Sequence, residues 1–281
     1  MYSHGEGISG EEEKATNWFK KAAKQGHAEA QNLLGISYEF GFGAPQNIEK
    51  AIKWYKKAAH QGVSLAQEAL ASKYYHGEGV PQDYEKAAKW NRQAAKQGDA
   101  ISQNALGVMY YRGQGIEQDY EKAVKWYRKA AKQGHDPSQC NIGLMYEHGL
   151  GVTQDYKRAA EWYRRGLKSS DVRGLNSFHL GNMYLEGKGV QKNSEKAISL
   201  FKKAAVKGHV GAQKNLGNLY IEGQGIEQNY LRSYKWFKIA AMQDDKEANS
   251  KLEEIAKAMT KQQITEAKKR AREWMEEHGQ K

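Results

Sequence analysis

The sequence predicts an all-α protein, a right-handed α/α superhelical solenoid of about seven helix-turn-helix repeats of 36 residues. A Gly-x-Gly pair returns every 36 residues, with one spacing of 38. A tyrosine three residues before each pair and a tryptophan thirteen residues after its first glycine keep the same phase, except that Leu200 replaces one tryptophan. Such a fixed period is the signature of repeats that bury a core only by stacking on their neighbours. The pairs are Gly5/Gly7, Gly41/Gly43, Gly77/Gly79, Gly113/Gly115, Gly149/Gly151, Gly187/Gly189 and Gly223/Gly225.

The second helix of each repeat, here called the B-helix, follows the glycine pair. The segment from Asn47 to Gln61 shows apolar residues at the i, i+3, i+4 and i+7 positions of one helix face. Asn or Asp stands at each expected start, where its side chain can accept a backbone N–H, and glycine stands at most ends. The predicted N-caps are Asn47, Asp83, Asp119, Asp155, Asn193 and Asn229, and the terminal glycines are Gly26, Gly62, Gly98, Gly134 and Gly208.

The first helix of each repeat, the A-helix, runs for example from Ala28 to Phe40 with Ala30, Leu34 and Tyr38 on its buried face. Glycines beside this face are expected to let the backbone of a neighbouring helix approach closely. The repeated tryptophans share the phase of the apolar B-helix face, so we expect them to be buried. The lysines and arginines of the B-helices lie opposite that face and are expected to face solvent.

Composition narrows the function classes. The single cysteine, Cys140, excludes an internal disulfide framework and a multi-cysteine zinc site. No apolar run reaches 18 residues, and the first ten residues lack the pattern of a signal peptide. We therefore expect a soluble chain that is cytoplasmic, or periplasmic or secreted if its N-terminus was trimmed. The formal net charge of +11 raises polyanions and acidic proteins as partners.

The repeat resembles the SEL-one-like repeat family, a relative of the tetratricopeptide repeat, and is typical of bacterial members. The unit from Ala105 to Gly134 reads ALGVMYYRGQGIEQDYEKAVKWYRKAAKQG and fits the family pattern almost throughout. The resemblance covers roughly residues 1–245 and implies adaptors or scaffolds for protein complexes. One branch of the family carries a disulfide in each repeat and has been linked to penicillin binding. With only Cys140, this chain does not inherit that activity.

The two ends of the chain depart from the repeat. Residues 1–245 are interpreted as the solenoid with an incomplete first repeat, because Met1 to Ser3 supply only the last turn of an A-helix. Trp18 would then lack cover on one side, which favours a trimmed chain or a dimer formed through that repeat. The alternative is a monomer. Residues 246–281 are interpreted as a degenerate repeat followed by a charged capping helix.

A stripe of A-helix residues that changes from repeat to repeat is the predicted partner-binding groove. In related solenoids the A-helices line the concave face, and this stripe carries aromatic residues among polar ones, as protein interfaces do. The alternative is that these side chains pack against the next repeat. The predicted groove consists of Asn32, Ile36, Glu68, Ser72, Tyr75, Asn104, Val108, Tyr111, Leu144, Glu147, Phe178, His179, Asn182, Leu185 and Asn218.

The fifth unit is irregular. Gly166 replaces the usual alanine, Lys168 to Asp171 replace the Gln-Gly end, and two residues are added before Gly187. One interpretation is a tolerated surface loop. The other is a kink that shapes the groove near Phe178 and His179.

No catalytic motif supports an enzyme, and no catalytic, cofactor-binding or metal-binding residue is predicted. The G-x-G-x-x-G of Gly5 to Gly10 lacks a preceding strand. His4, His76 and His148 lie two repeats apart, too far to share a metal, and His179 stands alone. The predicted function is a non-enzymatic scaffold that binds a protein or peptide. The alternative is an immunity or inhibitor protein that blocks a toxin or effector, with a hydrolase or a nucleic-acid or other polyanion binder ranked lower. No cofactor is expected.

Overall fold

The computed structural model describes residues 9–279, and within that range it contains fifteen α-helices, one short 3-10 turn and no strand. The helices form two compact units, Met1–His135 and Asp136–Lys281. The all-α repeat architecture predicted from the sequence is therefore confirmed. The predicted helix turn at Met1 to Ser3, the first glycine pair and His4 lie outside the described residues.

The first unit alternates B- and A-helices. The A-helices are α2 (Ala28–Phe40), α4 (Ser64–His76) and α6 (Ala100–Arg112), and the B-helices are α1 (Ser9–Lys24), α3 (Ile48–His60), α5 (Tyr84–Lys96) and α7 (Tyr120–Lys132). Each A-helix packs against the B-helix that follows it.

The second unit repeats the alternation and adds two helices. Its A-helices are α8 (Asp136–His148), α10 (Leu175–Glu186) and α12 (Val210–Glu222), and its B-helices are α9 (Tyr156–Lys168), α11 (Ser194–Val206) and α13 (Tyr230–Ala241). The 3-10 turn spans Val172–Gly174, and α14 (Lys246–Ala256) and α15 (Lys261–His278) follow the last B-helix. Both α14 and α15 contact α13, and Ala267 and Ala271 of α15 are fully buried.

The helix ends form as the sequence predicts. Each Asn or Asp N-cap of a B-helix accepts a hydrogen bond from the backbone N–H three residues later, as Asn47 does from Lys50. The first glycine of each described pair ends its A-helix in the left-handed region, with φ of 78° at Gly41. A residue with a Cβ is strained at that φ, which accounts for glycine there.

A close contact inside a repeat joins an A-helix glycine to a B-helix aromatic ring. A Cβ atom at Gly35 would lie 2.6 Å from two ring carbons of Tyr55, and at Gly107 it would lie 2.6 Å from a ring carbon of Tyr127. The same contact recurs at Gly143/Tyr163, Gly181/Phe201 and Gly217/Phe237. The expectation that a helix backbone approaches these glycines is therefore wrong, because a side-chain ring fills the space.

The repeated tryptophans are less buried than predicted. Trp90 and Trp236 are buried, whereas Trp54, Trp126 and Trp162 are half-buried and Trp18 is 68% exposed. The fully buried aromatic is instead the next residue along the B-helix, such as Tyr55 after Trp54. One residue along a helix is a turn of about 100°, which moves each tryptophan to the edge of the buried face.

Glutamine pairs, which the sequence analysis did not single out, join successive A- and B-helices. Gln61 at the end of α3 donates to Gln31 of α2 at 2.8 Å, and Gln31 donates to the backbone oxygen of Ala23 in α1. The pairs Gln97/Gln67, Gln133/Gln103 and Gln243/Gln213 repeat the first contact. Each pair therefore lies within one repeat, and its A-helix glutamine also donates to a backbone oxygen of the preceding repeat, as Gln67 does to Ala59.

Substitution of Gly107 by alanine tests the ring–glycine contact. Alanine favours a helix over glycine by ~1 kcal/mol, but the new methyl group would overlap the Tyr127 ring. Overpacking a core costs ~1–3 kcal/mol, so we expect a net loss of up to about 2 kcal/mol in the free energy of unfolding. Denaturant unfolding measures the change. Gly10→Ala is the matched control, because nothing lies within 4 Å of a Cβ at Gly10. Equal stabilisation by both substitutions would contradict the contact.

Candidate functional site

The predicted groove residues of the first unit lie on α2, α4 and α6, and the surface formed by those that are at least partly exposed is here called the first A-face. Tyr111 is 38% exposed, and none of the other predicted residues of this unit is as open to solvent. Asn32 is 2% exposed, so it leaves no surface for a partner. The remaining predicted residues of this unit are half-buried: Ile36, Glu68, Ser72, Tyr75, Asn104 and Val108.

Tyr75 combines structural contacts with a partly open position. Its hydroxyl donates to Oε1 of Gln114 at 2.8 Å and accepts from Arg112 at 3.2 Å. Its ring meets the ring of Tyr84 edge-on at 5.2 Å. These contacts join α4 to the end of α6 and hold the ring in one orientation. Tyr75 is therefore preorganised, which lowers the entropy that a partner's binding would cost.

A buried lysine, which the sequence analysis missed, links α2 to α4 on the same face. Lys73 Nζ lies 2.5 Å from Glu39 and 2.7 Å from Glu78, and the hydroxyl of Tyr55 donates to Glu39 at 2.6 Å. Burial alone would lower the pKa of Lys73, but the hydrogen bonds and charges of the two carboxylates raise it above its ordinary value. The charged ammonium of Lys73 is thus held in ion pairs with Glu39 and Glu78. The sign of this ion pair in the sequence is that a polar residue, Lys73, stands on the last turn of α4 before Gly77.

A pocket of about 260 Å³ opens on the first A-face between α4 and α6. Buried Ala71, Asn91 and Met109 belong to its wall, and half-buried Glu68 and Tyr75 also line it. Burial, together with the charges of Asp99 and Glu39, raises the pKa of Glu68 above its ordinary value. The sequence analysis placed Glu68, Ser72, Tyr75 and Val108 on one face, and the structure brings these four together around this pocket.

The second unit places the other predicted groove residues in half-buried positions on α8, α10 and α12, here called the second A-face. These residues are Leu144, Glu147, Phe178, His179, Asn182, Leu185 and Asn218. Asn182 accepts a hydrogen bond from Asn215 at 2.8 Å, which joins α10 to α12.

Aromatic stacking occupies much of the second A-face. The His179 ring stacks on Tyr163 at 5.2 Å, and Phe178 stacks on His209 at 4.2 Å. The Tyr163 hydroxyl donates to Glu147 at 2.5 Å, and Nδ1 of His179 lies 3.9 Å from the same carboxylate. A Cβ atom at Gly211 of α12 would lie 3.0 Å from the Phe178 ring, so Phe178 packs against the next repeat, which is the alternative considered from the sequence.

The irregular fifth unit is fastened by two buried acids. Asp171, 3% exposed at a φ of 47°, accepts from the backbone of Asn176 and from the hydroxyl of Ser177. Asp136 accepts from the backbone of Val172 and from the side chain of Asn176. A Cβ at Gly166 would overlap the Asn176 side chain, which explains the glycine there. The segment is therefore not a plain surface loop.

The outer faces of the B-helices carry the basic residues, as predicted. Lys53, Lys57, Lys89, Arg92 and Lys96 are exposed, and Lys56 is half-buried. Several cations lie over the chain's own tryptophans, including Lys57 at 4.4 Å from the Trp54 ring centre and Lys129 at 4.2 Å from that of Trp126. These rings already have cation–π partners, which disfavours a role in stacking on bases.

Reactive groups are sparse on the part of the chain that the structure describes. Within residues 9–279 no three His, Cys, Asp or Glu side chains lie together as metal ligands would. Burial raises the pKa of the Cys140 thiol to about 12, so the thiol stays protonated at neutral pH and is a poor nucleophile. None of the described helices is both long and apolar enough to cross a membrane.

The stacked histidines predict a pH dependence of stability. Burial lowers the pKa of His179, partly offset by Glu147, and burial together with the charge of His179 lowers the pKa of His209. The folded chain therefore binds these protons less readily than the unfolded chain, whose histidines titrate near ~6.5. The stability contribution is fully present above that pH and is lost as the pH falls towards the folded-state pKa values.

The measurement compares melting temperatures at pH 7.5 and pH 5.5. We expect a larger drop for the unmodified chain than for His179→Phe/His209→Asn. The phenylalanine keeps a ring over Tyr163, and the asparagine keeps an acceptor for the N–H of Ala212, which His209 now caps at 3.2 Å. An equal drop in both proteins would contradict the assignment, since the carboxylates are common to both.

The sequence matches the Sel1 repeat at residues 1–27, 28–63, 64–99, 100–135, 136–171, 177–209 and 210–245. A search of curated proteins finds no significant match. Among solved structures, a Sel1 repeat protein from Oxalobacter formigenes is 34% identical with a TM-score of 0.75, over 82% of this chain and 91% of that one.

A second solved relative is c5321, a protective antigen of uropathogenic Escherichia coli with an SLR fold. It is 26% identical with a TM-score of 0.50, over 95% of this chain and 80% of that chain. The immunity protein Pa5087 from Pseudomonas aeruginosa is 18% identical with a TM-score of 0.48, over 76% and 81%. The seven matched repeats cover most of the sequence, and the chain therefore belongs to the Sel1 repeat family.

Proposed function

We propose that this chain is a non-enzymatic scaffold or adaptor that binds a partner protein or peptide on the surface of its A-helices. Sel1 repeat proteins are typically protein-interaction scaffolds and generally non-catalytic, which supports the class. The observation that carries the proposal is the first A-face. There an exposed Tyr111 and a fixed Tyr75 lie on α6 and α4, the two helices that border a 260 Å³ pocket.

The residue types on this face favour a protein partner. Tyrosine is enriched among the residues that dominate binding energy, because it buries a large ring and keeps a hydroxyl for hydrogen bonding. The face also carries Glu39, Glu68 and Glu78 beside Lys73 and Arg112, so it is not a basic surface. A polyanion would find its cations on the B-helices instead, and that contact would weaken steeply with salt.

The test compares affinity capture by the unmodified chain, Tyr111→Ala and Tyr75→Ala/Tyr111→Ala, followed by titration of the purified captured protein. Loss of a tyrosine anchor costs ~2 kcal/mol, so we expect affinity to fall about 30-fold. Tyr111→Ala is the cleaner variant, because Tyr75 also bonds to Gln114. Lys53→Ala/Lys89→Ala is the matched control, since both lysines are exposed on B-helices.

The other outcomes would contradict the proposal or narrow it. Equal affinity of the tyrosine variants and the unmodified chain would remove the first A-face as the binding site. Binding lost in the lysine control, with a steep dependence on salt between 50 and 200 mM, would indicate a polyanion. A captured toxin or effector whose activity the chain blocks would narrow the scaffold to an immunity or inhibitor protein. Turnover on a substrate panel would indicate an enzyme.

A further inference from the structure

Two hydrogen-bond acceptors in the pocket of the first A-face have no partner. Asn91 is 4% exposed and its amide nitrogen lies 3.5 Å from the sulfur of Met109, but its side-chain oxygen accepts no hydrogen bond from any described residue. The half-buried carboxylate of Glu68 likewise has neither a hydrogen bond nor an ion pair with the described residues. Both side chains line the same pocket. Buried acceptors are nearly always paired in folded proteins, so two unpaired acceptors in one pocket indicate a ligand that brings the donors.

The charges around Glu68 favour a donor that is also a cation. Burial raises the pKa of Glu68, and the nearby carboxylates of Asp99 and Glu39 raise it further. Lys73 offsets only part of this effect, because its ammonium is already paired with Glu39 and Glu78. No lysine or arginine is among the described residues that line the pocket. A cation beside Glu68 would therefore meet a carboxylate without a counterion, and a charge-assisted hydrogen bond is stronger than one from a neutral donor.

The wall of the pocket also carries apolar side chains. Ala71 and Met109 are buried, and Ile101, Ala105 and Val108 line the pocket with them. The volume of about 260 Å³ exceeds the ~150 Å³ of an apolar cavity that binds benzene. A lysine side chain has fewer heavy atoms than benzene, so it fits this volume. Its methylene stem packs well against apolar surface, and its ammonium has three donors and no acceptor.

We propose that this pocket receives a lysine side chain of the partner protein, whose ammonium donates to the carboxylate of Glu68 and to the side-chain oxygen of Asn91. The methylene stem of that lysine lies against Ile101 and Val108. This inference rests on the proposed function, because it names the group of the partner that enters the first A-face. A neutral donor would satisfy the oxygen of Asn91 but would leave Glu68 without a counterion.

The experiment titrates n-butylammonium, the side chain of lysine, into the protein and follows the methyl resonances of Ala71, Ile101, Val108 and Met109. We expect saturable shifts confined to the pocket, with a dissociation constant in the millimolar range that suits so small a ligand. The neutral n-butanol has the same stem and should bind about 10-fold more weakly, because its hydroxyl carries no charge. Absent or unsaturable n-butylammonium shifts, or equal affinity for the two ligands, would overturn the lysine site.

Two variants remove the two acceptors separately. Glu68→Gln keeps the shape of the side chain without its charge, and it should weaken n-butylammonium binding about 10-fold while n-butanol binding stays unchanged. Asn91→Leu should also weaken n-butylammonium binding, and it should keep or raise the melting temperature, because a buried amide with an unpaired oxygen is lost. Glu85→Gln is the matched control, since Glu85 is an exposed acid of α5 outside the pocket. An equal loss of n-butylammonium affinity in Glu68→Gln and Glu85→Gln would contradict the site.

Titration of the captured partner separates this inference from the proposed function. Glu68→Gln should bind the partner about 10-fold more weakly than the unmodified chain, whereas Glu85→Gln should bind it equally well. If Tyr111→Ala loses the partner while Glu68→Gln keeps full affinity, the lysine site is overturned and the scaffold function stands. If the pocket binds n-butylammonium but the unmodified chain captures no protein, the pocket takes a free alkylamine, and both the lysine assignment and the scaffold function fail.

Discussion

The fit of a B-helix aromatic ring onto an A-helix glycine is the contact on which five of the repeats depend. At Gly35, Gly107 and their equivalents there is no room for a Cβ atom, so the ring lies directly on the A-helix backbone. This contact fixes the distance between the two helices and the rotation of the B-helix. Residues next to the ring take their places from it, including Trp54 and its equivalents at the edge of the buried face. Repeats stacked in this way share a core with their neighbours only.

Polar contacts then join one repeat to the next without disturbing that core. The A-helix glutamine of each pair donates to a backbone oxygen of the preceding repeat, as Gln67 does to Ala59. In the fifth unit, where the Gln-Gly end is missing, Asp136 of α8 accepts from the backbone of Val172 and from the side chain of Asn176 in α10. Buried polar groups must find partners, so a change in one repeat requires a matching change in another position. Gly166 and Asn176 illustrate such a matched change, since the glycine makes the room that the asparagine side chain occupies.

Departures from the repeat are therefore informative about function. Where both ring and glycine are replaced, at Asn91 and Ala71, the first A-face gains a pocket beside its two tyrosines. In the second unit the same face is filled by the stacked rings of Phe178, His179, His209 and Tyr163. The two A-faces thus differ in the space they offer to a partner, although their repeats follow one pattern.

The sequence by itself determined the repeat, the bounds of the A-helix Ala28–Phe40 and of the B-helix after it to within a residue, and the capping residues, because periodic apolar positions, Asn or Asp caps and left-handed glycines act locally. It also indicated which A-helix residues vary. Only the tertiary structure decided which of them are accessible, as the contrast between buried Asn32 and exposed Tyr111 shows. The tertiary structure was also needed to find the Lys73 ion pairs, the hydrogen bonds that anchor the fifth unit, and the pocket beside Asn91. Whether a side chain is buried or paired depends on side chains from other repeats that lie close to it in space. A local sequence pattern does not show which of those side chains come close.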